Sequence, residues 1–416
     1  MELRSGLPGK IQRLIKKGVT MPNPLTLDIG DEVNADNISA KGVKIYPGCR
    51  IYGEKTVISE GVLIGHEGPA TVENCQIGPE VELKAGYFNM SVFLEKSNMS
   101  LGAHVREACI LEEQAGGAHC VGLKQTILFP FVTLGSLINF CDCLMAGGTS
   151  RKNHSEVGSS FIHFNFTPDG DKTTASLIGD VPRGVMLNQP PIFLGGQGGL
   201  IGPLRLGFGN VVAAGCILRK DVLEENKLIF GKSHAEATAD FSQRAYPRLS
   251  RIVGNNIVYL ANLAALEQWY IHVRQLFFRE QEFGDLVYRG ALEKLAMANE
   301  ERLKRLEDMA GKLSVAPGGS DGENRDEPGR RELRENARRI RELLAGDTVQ
   351  KAVGGQRDLF LAGLQKHRKG GAGYIETIQG LPAAVSQAGT QWLDQIIDGV
   401  KRSLASLVPS MAMFKD

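Results

Sequence analysis

From Pro191 to Val222 the apolar positions keep a six-residue beat. Ile192 and Leu194 lead, followed by Leu200, Leu206, Val212 and Leu218. Small residues come after these anchors, at Gly195, Gly207, Ala213, Ala214 and Gly215. An amphipathic helix repeats every 3.6 residues and a half-buried strand every 2, so neither keeps this register. A coil with three short flat faces does. One apolar side chain per face points inward, and Gly or Ala turns the corner. The stretch therefore predicts a β-helix.

The register opens well before this stretch, with Ile38, Val43, Ile45, Ile51, Val57 and Leu63. It resumes at Ile77, Leu83, Leu101 and Val105. Between about 106 and 156 it is poorer. There Ala115-Gly-Gly-Ala118, Phe129-Pro-Phe131 and Ala146-Gly-Gly-Thr149 predict bulged coils or loops leaving the prism, the places where a repetitive scaffold carries binding groups. Val157 restores the beat, and the stretches Asn165–Thr174 and Pro182–Pro191 interrupt it as loops. Ahead of the repeat, residues from about 5 to 19 predict a short basic helix with Ile11, Leu14 and Ile15 on one face.

After about residue 233 the period becomes helical. Ile252, Ile257, Leu260, Leu263, Leu266, Trp269, Tyr270, Val273 and Phe277 fall at helical spacing, and a second helix is expected over about 283–313. The acidic, Gly-rich run up to Arg330 reads as a solvated linker. The expected division is an N-terminal helix and lead-in (1–32), a β-helix with inserted loops (33–232), long helices (233–313), a linker (314–330) and C-terminal helices (331–416). The last are expected to reinforce the assembly, cap the prism or dock a protein partner.

Composition narrows the function. The 50 glycines and 6% aromatic residues suit a narrow core without room for large rings. A net charge of +1, from 48 basic and 47 acidic residues, offers no footprint for nucleic acid. No apolar run is long enough for a membrane span, and the first residues lack the apolar segment of a secretory signal, so a cytoplasmic protein is expected. The seven cysteines include Cys141-Asp-Cys143 but no pair at zinc-finger spacing. They read as small reduced core residues, and no metal is expected.

Three segments carry a family resemblance: Gly18-Val-Thr-Met-Pro-Asn-Pro24, the run Val157 to Thr173 with its Asn165-Phe166…Asp169-Gly170…Lys172 loop, and Ile192 to Val222. Together they resemble the left-handed β-helix acyltransferases, above all the glucosamine-1-phosphate acetyltransferase domain of the bifunctional bacterial enzyme that makes UDP-N-acetylglucosamine. The resemblance covers roughly residues 11–222 and includes no nucleotidyltransferase domain. It implies a left-handed parallel β-helix, a homotrimer, and acetyl-CoA bound between subunits. It implies that Asn165 lies near the acetyl group, with Phe166 in place of a tyrosine, and that Lys172 meets the ligand's phosphate side. Ser159, Gly196 and Ala213 match backbone contacts to the pantetheine arm. Lys84 stands where the family has an arginine for the sugar phosphate, and Lys124 matches a second phosphate-binding lysine.

One departure bears on the chemistry. A protonated amine is not nucleophilic, so acetyl transfer needs a base. The family uses a histidine, and its position falls near Phe140 or Ser136 here, neither of which does that work. His154 and His163 are the nearest replacements, the latter alternating with Ile162 and Phe164 and so able to face outward. His119, in a Gly-rich stretch, is a further one. The run Leu144-Met-Ala-Gly-Gly-Thr-Ser-Arg-Lys152 is similar to the Gly-rich loop of sugar nucleotidyltransferases, but no helix is expected after it to present N–H groups to phosphate. Two readings follow. One is an acyltransferase acting on a sugar phosphate or nucleotide-sugar. The other is a non-catalytic β-helix that binds such a ligand or CoA, or serves as a trimeric scaffold.

Overall fold

The computed structural model describes residues 7–231, 238, 246, 248–313, 327–345 and 354–414. Very short strands, most of two or three residues, stack coil on coil into three parallel sheets. Face A holds ten strands, from Lys44–Ile45 to Leu228–Ile229. Face B holds ten, from Asp28–Ile29 to Ile217–Leu218, and face C eight, from Val57–Ile58 to Arg205–Leu206. The chain winds from B to C to A and back to B, so the prism has A/B, B/C and C/A edges. The parallel β-helix expected from the register is present.

The register has a direct cause. A two-residue strand points one side chain inward, and corresponding residues of successive coils stack in line. On face B the inward column runs Ile51, Val72, Phe88, Val105, Leu123 and Phe140, all shut off from solvent. The corners differ from expectation. Many turn through a left-handed residue that is not glycine, among them Gln114, Cys120, Gln125, Leu137, Asp142, Ser160 and Gln197. Each costs on the order of 1 kcal/mol or more, which the stacked ladders offset.

The coils between 106 and 145 also correct the expectation. Gly116–Gly117 forms a regular face A strand, because the Met99 side chain fills the space beside Gly117. Phe129 and Phe131 are buried at the C/A edge. Only Gly148–Ser150 and Asn153–His154 leave this part of the prism, as an antiparallel hairpin. The nucleotidyltransferase-like run thus ends in a hairpin with no helix after it.

The helices are α1 (Gly9–Lys17), α2 (Val181–Gly184), α3 (Leu249–Trp269), α4 (Gln275–Phe278), α5 (Gly284–Lys312), α6 (Glu327–Ala345), α7 (Gly355–His367), α8 (Tyr374–Gln379) and α9 (Ala383–Ala405). A π turn, Tyr270–Arg274, joins α3 to α4. Residues 314–326 of the expected linker lie outside the described residues, and Glu327–Arg330 already belong to α6.

Face C is covered by this helical region. Helix α5 lies on strands Gln76–Ile77, Ser91–Phe93 and Cys109–Leu111, and α3 lies on Ser176–Ile178. Gly290 permits the approach, since a Cβ there would sit 2.3 Å from Gln76 Oε1. Buried charge fixes the docking. At the C/A edge Glu113 accepts from Arg274 at 2.5 Å, and Glu112 accepts from Tyr270 at 2.6 Å. Trp269 packs against Phe360 and Trp392.

Candidate functional site

From Ser100 to Ala213 the A/B edge is a column of small residues. Reading up the prism, the residue after each face A strand is Tyr46, Gly65, Lys84, Ser100, Ala118, Gly135, Gly158, Gly195, Ala213 and Phe230. Each from Tyr46 to Ala213 passes a backbone hydrogen bond to the next coil: Gly135 N–H donates to the Val157 carbonyl at 2.7 Å, Gly158 to Leu194 at 2.7 Å, and Gly195 to Val212 at 2.9 Å. Size is restricted here. A Cβ on Gly158 would lie 2.4 Å from the Gly196 nitrogen, and one on Gly195 2.4 Å from the Ala214 nitrogen. Tyr46, Lys84 and Phe230 are the large side chains among these rungs. From Lys84 to Ala213 is six coil steps, about 29 Å at the usual strand spacing.

The next column on this edge carries His119, Ser136, Ser159, Gly196 and Ala214. Ser136 Oγ lies 2.8 Å from His119 Nδ1, and the Ser136 N–H donates to Ser159 Oγ at 3.2 Å. Sequence reasoning named His119 and Ser136 separately and missed the pair. The signal was available: the two are 17 positions apart, close to one full coil.

The other candidates lie elsewhere on the chain. Lys124, Asn165, Phe166 and Lys172 belong to the B/C edge, and His154 to the C/A edge at the foot of the hairpin. Ser159, Gly196, Ala213 and Lys84 share the A/B edge. One chain therefore does not bring the whole set together. Phe166 is 79% exposed, and the Lys172 side chain also faces solvent. Two of the three lysines proposed for phosphate have carboxylate partners: Lys84 is 3.4 Å from Glu67, and Lys124 is 2.6 Å from Glu107. His154 Nε2 is 3.7 Å from Glu156, and its Nδ1 is buried without a hydrogen-bond partner among the described residues.

The loop that bears Asn165 is pinned by α5, a contact no local pattern announces. Arg302 donates to the Lys172 carbonyl at 3.0 Å and to Gln125 Oε1 at 2.9 Å, and it pairs with Asp142 at 2.8 Å. Lys312 donates to the Asp169 carbonyl at 2.8 Å. Tyr246 donates to Asp171 at 2.8 Å. The loop is thus fastened along its length, while Phe166 stands clear of it.

His163 corrects the outward orientation expected for it. Ile162 and Phe164 face out, and His163 occupies the inward column of face B, in register with Leu200. Its Nε2 meets Ser176 Oγ at 2.8 Å. Burial lowers its pKa to about 4, against a smaller opposing pull from Asp142. The sign follows. Between pH 6.5 and about 4 the unfolded chain holds a proton on this histidine and the fold does not, so its contribution to stability is lost as pH falls through that window. The loss is expected to be on the order of 3 kcal/mol. Urea unfolding of a His163→Gln variant should show a shallower fall between those pH values than the parent does. An equal slope in both proteins would remove His163 from the core.

Among the described residues no cluster of three or more His, Cys, Asp or Glu side chains is arranged to hold a metal. No described helix is long and apolar enough to cross a membrane.

No family profile matches the chain. Curated relatives do. The chain is 26% identical over 216 residues to the bifunctional protein GlmU of Thermotoga maritima, across 51% of this chain and 42% of that protein. The chain resembles GlmU. The GlmU of Lawsonia intracellularis gives the same identity and coverage. That of Listeria welshimeri is 25% identical over 236 residues, 55% of this chain and 45% of that protein. The chain thus spans less than half the length of these GlmU proteins. With the parallel β-helix, this bears out the resemblance to the β-helix acyltransferases.

Proposed function

We propose that the β-helix holds an acyl thioester, acetyl-CoA by resemblance, along its A/B edge. The acyl group would go to an amino or hydroxyl group of a sugar phosphate or nucleotide-sugar. The observation that carries this reading is the rung column from Gly135 through Gly158 and Gly195 to Ala213. A pantetheine arm is thin and carries amides. It needs a long track without large side chains, and the rungs from Gly135 to Ala213 supply one, although their N–H groups are already donated to the next coil. Ser159, Gly196 and Ala213 line the track, and Lys84 stands at its lower end as a cation for the acceptor's phosphate.

The remaining candidates enter through assembly. Lys124, Asn165, Phe166 and Lys172 lie on a different edge, so a second copy would have to lay its B/C edge against the first copy's A/B edge. A trimer of parallel prisms satisfies that requirement three times over. Uncovered apolar surface supports it. On face A, Phe193, Val211 and Leu228 stack in register and face solvent; on face B, Phe164 stacks on Ile201, Ile162 and Ile217 flank Gly199, and all four apolar side chains face solvent. Surface of this kind calls for a partner. Val211→Asp, in the middle of the face A column, is expected to turn a trimer into monomers in sedimentation equilibrium. A monomeric parent protein would contradict the assembly.

The two lysine pairs favour a second reading. A phosphate would have to displace Glu67 from Lys84 and Glu107 from Lys124, and a non-catalytic module that binds CoA needs neither exchange. Thiol release from acetyl-CoA, assayed over a panel of amino sugars and their phosphates, separates the two. Acceptor-dependent release supports transfer. Binding of acetyl-CoA without release supports the module.

A further inference from the structure

We propose that Ser136 is an acyl-accepting nucleophile with His119 as its base, so that acyl transfer by this chain passes through a covalent acyl-serine. The proposal rests on the reading of the A/B edge as a thioester site. It adds a route of reaction that this reading does not require.

The geometry is that of an activated hydroxyl. A serine is a weak nucleophile until a neighbouring base takes its proton, and the mark of such a pair is hydrogen-bond distance between them. Ser136 Oγ and His119 Nδ1 are 2.8 Å apart. With the imidazole hydrogen on Nε2, Nδ1 accepts the Ser136 hydroxyl. Both residues sit on the rigid ladder and not on a free loop. Leu137 N–H donates to the His119 carbonyl at 3.0 Å, Ser160 N–H to the Ser136 carbonyl at 2.8 Å, and Ser136 N–H to Ser159 Oγ. Their separation is therefore set by coil stacking. The pair faces out beside the rung residues Ala118 and Gly135. A thioester lying on that track would bring its carbonyl carbon to Ser136.

The step balances without any further reagent. Nδ1 takes the hydroxyl proton as Oγ bonds to the thioester carbonyl carbon. The C–S bond breaks, and the proton passes to the departing thiolate, which leaves as the free thiol. The product is a serine ester. An amine, hydroxyl or water then attacks the ester carbonyl with His119 taking its proton, the C–Oγ bond breaks, and Oγ recovers a proton. Neither other candidate histidine offers this. His163 is enclosed, and His154 stands on the C/A edge.

The test uses the intact protein and acetyl-CoA with no acceptor. The expected result is a stoichiometric burst of thiol, with one acetyl group on the peptide containing Ser136. Ser136→Ala should abolish both, and His119→Gln should slow the burst by about 10²-fold or more. Calorimetry on the same samples separates the two claims. If acetyl-CoA binds but Ser136 stays unmodified, or if the burst survives Ser136→Ala, the covalent route is overturned and the thioester edge stands. If acetyl-CoA does not bind, the thioester edge itself is overturned, and this proposal with it.

Discussion

Arg302→Ala is expected to lower the stability of the fold by about 3–5 kcal/mol. The guanidinium is 3% exposed and its partner Asp142 5%, so the substitution leaves a carboxylate inside the protein with no cation. It also strips the acceptors Gln125 Oε1 and the Lys172 carbonyl of their donor. Breaking one side of such a pair costs far more than the pair contributes, because desolvation of the remaining charge is no longer offset. The effect should appear as a lower urea midpoint with little change in slope. Adding Asp142→Asn to the Arg302→Ala protein should restore part of the loss. A change under about 1 kcal/mol would mean that the pair is solvated. Because Arg302 also fastens the Asn165 loop, the single variant should lose acyl transfer before it loses its fold.

His119→Gln carries the second large effect. Glutamine keeps a polar side chain at the corner but cannot cycle a proton near neutral pH. Acyl transfer is expected to fall by about 10²–10⁴-fold, the usual contribution of a positioned base. Affinity for acetyl-CoA should barely move, since the track is made of backbone. The same substitution at His154 reports on the other candidate. A comparable loss there, with His119→Gln near the parent rate, would move the base to the C/A edge of a neighbouring copy.

The sequence made the prism legible because its period is fixed by geometry: one inward side chain per two-residue strand, three strands per coil. That logic fails at single positions. His163 was read from its apolar neighbours as outward, whereas the column on face B demands the reverse parity, and once it is inside Ser176 Oγ meets its Nε2 while Nδ1 has no hydrogen-bond partner among the described residues. The poor register from about 106 to 156 was read as a departure from the prism. The hairpin from Gly148 to His154 does depart, but the wall before it is intact, with Met99 beside Gly117. The column of small residues at the A/B edge was legible from the Gly and Ala positions that follow several of the anchors. Its splitting from Asn165, Lys124 and Lys172 was not, since that depends on which edge each coil residue reaches. Arg302 was invisible in the same way. Its partners Gln125, Asp142 and Lys172 lie more than a hundred residues away along the chain.

The most direct measurement is calorimetric titration of acetyl-CoA into the intact protein and into an Ala214→Trp variant. Ala214 is exposed beside the Ala213 rung, so an indole there fills the track without entering the core. Saturable binding to the parent is expected, weakened by about tenfold or more in the variant, which corresponds to about 1.4 kcal/mol. No binding to the parent, or equal binding to both proteins, would contradict an A/B edge that holds the thioester.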